Sequence, residues 1–195
     1  MRAFAAAIML GLGLLTAGCA SNSGTAPAEA ITAAAFSNPE PASVSLITMV
    51  NASSGFGEHS ALLSNGSQQV IYDPAGSFRH SDLPRRNDMV YGITPRYARY
   101  YFSYHARFGY YVKVQTLEIS REEADAIITH AQARGHVPKL FCATAVSDVL
   151  NDFPQFADIP VTFFPGAIMK RVARNDAVNT LIVREDDIGQ NYRTD

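Results

Sequence analysis

The sequence predicts an α+β domain in which an antiparallel sheet packs against a few helices. One observation is Asn65-Gly66, the strongest short signal for a β-hairpin, which lies between two strand-like segments. A second is the order of the chain, because helical patterns come only later, over residues 120–135 and 138–150. The first part of the domain is therefore predicted to be an antiparallel meander, and the helices that cover it follow.

Residues 1–18 are predicted to be the export signal of a lipoprotein. Arg2 carries a positive charge, the run from Ala3 to Leu15 is apolar, and the ending Leu15-Thr-Ala-Gly-Cys19 resembles a bacterial lipobox. The run is too short to span a membrane. The resemblance implies cleavage before Cys19, diacylglycerol on its thiol, and an acyl group such as palmitate on the new amino terminus. More than one acyl chain gives stable anchoring, so we expect the membrane to be a partner.

The residues after Cys19 bear on location and domain organisation. Ala20 stands where an inner-membrane retention signal often has Asp, which implies the outer membrane of a Gram-negative cell, facing the periplasm. Residues 19–43 are rich in Ala, Ser, Pro and Gly and are predicted to be a flexible tether. Residues 44–195 are predicted to form one domain. A net charge of −2 gives no support for nucleic acid as a partner.

Three strands are predicted at the start of the domain, over residues 43–50, 58–64 and 68–73. His59 lies near the start of the second strand, and Asp73 ends the third. A two-residue hairpin loop would place His59 opposite position 72, and one more loop residue or a bulge would bring it level with Asp73. The two side chains are therefore expected to be adjacent, although the sequence leaves their pairing open.

The middle of the chain carries weaker patterns. Residues 78–87 are polar and are interpreted as an exposed loop. Residues 88–108 are rich in Tyr, Phe and Arg, which suits either the wall of a substrate groove or the packing of strands and loops. His105, which lies among these tyrosines, is interpreted as structural.

The predicted helices place a cysteine at a chemically special position. After a strand over residues 109–119, Ser120 and Glu123 form a capping box, and Gly135 ends the helix. A second helix follows Pro138 and begins close to Cys142. Free N–H groups and partial positive charge at a helix start favour thiolate over thiol. Short patterns over residues 161–164, 165–174 and 180–183 predict an extended segment, a helix and a last strand.

The number of cysteines sharpens this interpretation. The chain has two, and Cys19 is assigned to lipid, so Cys142 has no partner within the chain. Oxidising compartments tend to pair or eliminate such a thiol. Cys142 is therefore either a small residue of the core or a nucleophile with a base nearby.

The order of these residues resembles the circularly permuted members of the NlpC/P60 (papain-like) cysteine hydrolase superfamily, which include lecithin retinol acyltransferase-like proteins. Glu58-His59 is similar to their histidine strand, and Phe141-Cys142 through Leu150 is similar to their nucleophile helix, although many members have Asn where Phe141 stands. The resemblance implies a permuted papain-like fold. It also implies that Cys142 is the nucleophile, His59 the base and Asp73 the third member, with His80 as the alternative third member.

The reaction implied is acyl transfer through a thioester, which needs no cofactor and no metal. Zinc would need a third ligand beside His59 and Asp73, and none occurs at a recognisable spacing. Location and resemblance together make peptidoglycan peptides the expected substrates, and lipid-like esters or amides the alternative. A non-catalytic envelope lipoprotein that keeps this fold for binding or assembly also remains open, as does the oligomeric state.

Overall fold

The computed structural model describes residues 25–185 as an α+β domain, with one seven-stranded antiparallel sheet and five α-helices in this part of the chain. This confirms the predicted fold class. The predicted export signal and the predicted lipid site at Cys19 lie outside the described residues. Within residues 25–185, no helix combines the length and the apolar character that crossing a bilayer requires.

The strands are β1 (Ser43–Asn51), β2 (Gly57–Asn65), β3 (Gln69–Tyr72), β4 (Arg85–Arg86), β5 (Met89–Val90), β6 (Tyr110–Glu118) and β7 (Asn179–Val183). The helices are α1 (Ala28–Ala34), α2 (Pro95–His105), α3 (Arg121–Arg134), α4 (Cys142–Asn151) and α5 (Pro165–Val172). The strand order is β4-β5-β3-β2-β1-β6-β7, so β2 is the central strand, and the nine-residue strand β1 lies next to it, between β2 and β6.

Successive residues of a strand point to opposite sides of the sheet, so the sheet has two apolar faces. Helices cover both of them. Leu46 and Leu62 lie on the face that packs against α3, α4 and α5. Ile47 and Ala61 lie on the other face, which α2 covers with Tyr101 and neighbouring residues. Full burial of a large apolar side chain contributes roughly 1.5–3 kcal/mol, so these two layers fix the helices against the sheet.

The two predicted helix starts form as expected. Ser120 Oγ accepts a hydrogen bond from Glu123 N at 3.1 Å, and Glu123 Oε2 accepts one from Ser120 N at 3.0 Å, which completes the capping box. The helix ends at Gly135, which has φ of 70°. Cys142 is the first residue of α4, and its predecessor Phe141 supplies no side-chain cap. The start of α4 therefore keeps its backbone donors available for other acceptors.

The hairpin between β2 and β3 has a longer loop than the sequence predicted. Asn65 pairs with Gln69, which leaves three loop residues. The cause is a tertiary contact, since Asp125 of α3 accepts hydrogen bonds from Ser67 N at 2.6 Å and Ser67 Oγ at 2.5 Å. The register Leu62↔Tyr72 consequently brings Asp73, just after β3, level with Ala61 rather than with His59. Asp73 and His59 still share a face, because they are offset by two residues.

The interpretations of residues 78–87 and 88–108 need correction. The first segment is not an exposed loop, because Phe78, Leu83 and Arg85 are buried. In the second segment, residues 95–105 form α2, with Thr94 as N-cap and Pro95 in the first turn. That Thr-Pro pair is a helix-start signal that the aromatic content obscured.

The flexible tether predicted for residues 19–43 needs correction where the structure describes it, over residues 25–42. Thr25 forms a β-bridge with Arg86, and the Arg86 guanidinium donates to Ala26 O. Farther along, Phe36 O accepts from Gln69 N at 2.7 Å, and Asn65 donates to the carbonyls that precede β1. Residues 25–42 therefore pack along the domain instead of forming a flexible tether.

Candidate active site

Cys142 and His59 meet where the start of α4 packs on the start of β2. Cys142 is a free cysteine with 7% of its surface exposed, and its thiol is hydrogen-bonded to the His59 ring. The sulfur also accepts from the backbone N–H groups of Ser60 and Ala143. The structure thus brings the two residues into contact although 83 positions separate them in the sequence.

The other side of the His59 ring contacts Asp73. His59 Nε2 lies 2.8 Å from Asp73 Oδ1, which leaves Nδ1 as the ring nitrogen that faces Cys142. Asp73 is completely buried. Thiol, imidazole and carboxylate therefore form one hydrogen-bonded line, which is the geometry that a cysteine nucleophile with a base and an orienting acid requires.

Several donors hold the Asp73 carboxylate in place. Tyr101 OH donates to Oδ1 at 2.8 Å, and Arg85 Nη1 donates to Oδ2 at 2.9 Å. Gly76 allows this arrangement, because a Cβ at that position would lie only 2.0–2.1 Å from the carboxylate atoms. Asp73 thus carries its charge in a preformed site that excludes any larger residue at position 76.

Electrostatics favours an ion pair between Cys142 and His59. Burial lowers the pKa of His59, but hydrogen bonds to Asp73 and Cys142 raise it to about 10. Burial opposes ionisation of the Cys142 thiol, yet the hydrogen bond and charge of His59 and the backbone donors lower its pKa below the ordinary value. Burial also raises the pKa of Asp73, but His59 and Arg85 hold it well below its usual range. These shifts together favour the charged forms of the thiol, the imidazole and the carboxyl group.

A second buried carboxylate, Asp88, supports the first. Arg85 Nη2 donates to Asp88 Oδ1 and to Asp73 O, so one guanidinium joins both acids. Asp88 also accepts from Val137 N at 3.0 Å, in the segment that leads to Cys142. Asn87 and Asp88 both have positive φ, as a two-residue turn between β4 and β5 requires. Arg85 and Asp88 were not identified from the sequence as supports of Asp73. The available signal was the Asn87-Asp88 pair, because Asn and Asp tolerate the positive φ of such a turn.

His105 is the second residue of the site that the sequence did not bring forward. Its ring stacks on His59 with centroids 5.7 Å apart and an angle of 15° between the planes, and its Nδ1 lies 2.9 Å from Tyr101 O. His59, Asp73 and His105 offer ligand atoms within 4.8 Å of one another, so α2 supplies the third candidate ligand that the sequence spacing did not reveal. The residues do not fit a metal ion, because Arg85 and Tyr101 already occupy the carboxylate and Arg85 opposes a second cation.

A cleft of about 370 Å³ opens beside His59. The cleft is lined by Tyr104, His105, Arg107 and Tyr110, together with Gly76 and Ser77. In the aromatic-rich segment, Tyr101 lies in the core, while Tyr104 and Arg107 line the cleft. The cleft beside His59 is therefore lined by both aromatic and polar side chains.

His80 occupies a different place. Its ring contacts Tyr97 and Tyr100 edge-on, and Nδ1 accepts from Asp82 N at 3.2 Å. Asp73, in contrast, contacts His59 directly. The geometry therefore favours Asp73 over His80 as the orienting residue.

Comparison with known proteins gave no match, since neither a protein-family model nor a curated protein nor a solved structure matches the chain.

Proposed function

We propose that this protein is a lipid-anchored cell-envelope cysteine hydrolase that acts through a thioester, with Cys142 as nucleophile, His59 as general base and acid, and Asp73 as the orienting acid. The observation that carries the proposal is the hydrogen-bonded line from the Cys142 thiol through His59 to Asp73. The finer fold assignment, a permuted papain-like architecture, is part of the same proposal. It is supported by a histidine on an early strand, an acid at the end of the next and a cysteine on a later helix.

In the proposed reaction the Cys142 thiolate attacks a carbonyl carbon, and the carbonyl π electrons move to oxygen. The Cys142 backbone N–H, at the start of α4, stabilises that oxyanion. The His59 imidazolium then gives its proton to the leaving amine or alcohol, and the carbon–leaving-group bond breaks to leave a thioester. Neutral His59 next takes a proton from water, which attacks the thioester, releases the acid and restores the thiolate. Asp73 holds the ring orientation throughout.

Two substrate classes are supported by different observations. The predicted envelope location and the resemblance to NlpC/P60 proteins support amide bonds of peptidoglycan peptides. The exposed apolar side chains of Leu140 and Phe141, directly before Cys142, support acyl esters or amides of lipid-like molecules, and so an esterase or acyltransferase. A non-catalytic lipoprotein would instead have a thiol of ordinary reactivity.

Alkylation of Cys142 by iodoacetamide across pH tests the catalytic proposal without a known substrate. Mass spectrometry of the peptide that contains Cys142 separates it from Cys19. We expect the native thiol to react well below pH 8, whereas the unfolded chain should follow an ordinary cysteine pKa of about 8.5. His59→Gln should slow the reaction near pH 6 by on the order of 10²-fold, because an ordinary thiol is mostly protonated there.

The matched control is His80→Gln, which removes a partly buried histidine outside the hydrogen-bonded line and should leave the alkylation profile unchanged. A native Cys142 that reacts only at the pH of the unfolded chain would exclude the catalytic proposal and favour the non-catalytic lipoprotein.

The lipid anchor has its own test. Cys19→Ser should abolish partition of the expressed protein into a detergent phase or leave an unprocessed precursor, because the acyl-bearing thiol is lost. Cys142→Ser serves as control and should partition like the parent. If Cys19→Ser is processed and partitions like the parent, the lipobox assignment is wrong.

A further inference from the structure

One end of the domain carries an unusual number of exposed apolar side chains. We call this set the apolar rim: Phe56, Phe108, Leu140, Phe141, Phe163 and Phe164. The exposed fraction reaches 84% for Leu140 and 80% for Phe108. Single exposed apolar residues are ordinary, whereas a cluster of large ones marks a binding surface or a membrane-facing surface.

The topology brings these six side chains to the same end of the sheet. Asn51 at the end of β1 pairs with Tyr110 at the start of β6, so Phe56 and Phe108 lie in neighbouring loops. The start of β2 meets the start of α5, since a Cβ on Gly57 would lie 2.7 Å from Gly166 N. The rings of Phe141 and Phe163 are 5.4 Å apart. The rim therefore surrounds the end at which Cys142 and His59 meet.

The first residues that the structure describes also lie toward this end. Thr25 bridges to Arg86, at the end of β4 next to the Asn87-Asp88 turn, and Asp73 N donates to Asp88 O across that turn. Three strand spacings separate β4 from β2, which corresponds to about 14 Å. Cys19 precedes Thr25 by only six residues, so an extended connection reaches at most about 20 Å.

We propose that the apolar rim docks on the surface of the phospholipid bilayer to which the N-terminal segment is anchored, and that it turns the Cys142 end of the domain toward the lipids. The short connection from Cys19 to Thr25 holds this end, rather than the opposite one, close to the bilayer. Phenylalanine and leucine side chains on short loops enter the boundary between headgroups and acyl chains. Exposed Lys139, beside Leu140, suits anionic headgroups. The proposal rests on the proposed lipid anchor at Cys19, which detergent partition of the same variants checks separately, and it does not depend on whether Cys142 is catalytic.

The chain contains no tryptophan, so a single introduced tryptophan reports its own surroundings. We would place it at Phe164→Trp and, separately, at Phe56→Trp, in the full chain reconstituted into vesicles of phosphatidylethanolamine and phosphatidylglycerol. The matched control is Leu181→Trp, an exposed apolar position on edge strand β7 that pairs with Val114 in the middle of β6. The rim tryptophans should emit at shorter wavelength in vesicles and lose intensity when the lipids carry brominated acyl chains, whereas Leu181→Trp should do neither.

Two results would overturn the proposal. One is equal quenching at the rim and at Leu181→Trp, or none at either rim position. The other is a shift of the rim tryptophan emission to shorter wavelength that appears without vesicles and grows with protein concentration. That result would mean that a second copy of the chain, rather than the bilayer, covers the rim. Repeating the measurement in a Cys142→Ser chain separates the two proposals, since docking should persist there whether or not the thiol is a nucleophile.

Discussion

His59 and His105 lie in the same pocket, yet the structure gives them opposite protonation behaviour. Their ring centroids are 5.7 Å apart, and 15% of the His59 side chain and 9% of His105 are exposed. His59, near the start of β2, has Asp73 and Cys142 as partners, and these raise its pKa to about 10 against the effect of burial. His105, at the end of α2, is held by the carbonyl of Tyr101, and burial lowers its pKa below 6.5.

The comparison shows that burial alone does not decide the charge of a histidine. A carbonyl oxygen orients a neutral ring, whereas a buried carboxylate stabilises the imidazolium enough to outweigh desolvation. One ring can therefore form the ion pair with the thiol, while its neighbour supplies packing and a wall of the cleft. The difference depends on Asp73, so changes around that residue test it most directly.

The largest expected effect comes from Asp73→Asn, which would give His59 a neutral partner like that of His105. Turnover of a peptide or ester substrate should fall by on the order of 10²- to 10³-fold, because the amide cannot balance the imidazolium. The loss should be smaller than the about 10⁴-fold seen for the equivalent change in serine proteases, since a thiol ionises more easily. Steady-state kinetics measures it, and His80→Ala is the control. A large loss in His80→Ala with none in Asp73→Asn would transfer the orienting role to His80.

Arg85→Met tests how the charge of Asp73 is maintained. Removing the guanidinium leaves Asp73 and Asp88 buried without their shared cation, and breaking such a buried pair costs roughly 3–5 kcal/mol. Arg86→Met is the matched control, because the Arg86 guanidinium donates to a backbone carbonyl, Ala26 O, rather than to a buried carboxylate. Its loss should cost at most about 2 kcal/mol. Denaturant unfolding gives both values, and equal losses would contradict the central role of Arg85.

The smallest effect is a pH dependence of stability that follows His59. Because its folded pKa lies above the unfolded value of about 6.5, its contribution is fully present below pH 6.5 and is lost as pH rises toward 10. The test uses a Cys142→Ser chain, because it has no thiol in the site that could titrate, while Asp73 still raises the pKa of His59. This chain should become easier to unfold above pH 6.5. Adding His59→Gln should remove this decline in the free energy of unfolding. If the free energy of unfolding falls equally steeply with pH with and without His59, the ring is not charged in the folded state.

Part of the site could be predicted from the sequence. The Asn65-Gly66 turn indicated that the strands of His59 and Asp73 are neighbours, and the helix after Pro138 indicated that Cys142 begins a helix. Those inferences succeeded because they depend on local turn and helix signals. Arg85, Tyr101 and His105 were missed as a group, because no local pattern marks a residue that reaches a carboxylate across the fold.

The sequence by itself determined the α+β class, the capped helix after Ser120 and the position of Cys142 at a helix start, because backbone propensity and the spacing of apolar residues act over a few positions. Only the tertiary structure decided the hairpin register, the packing of residues 25–42 along the domain and the charge of each histidine. Asp125 set the loop length from another element, and the buried Asp73–Arg85 pair set the protonation of His59. Such contacts join residues far apart in the chain, and their strength depends on burial that exists only once both faces of the sheet are covered.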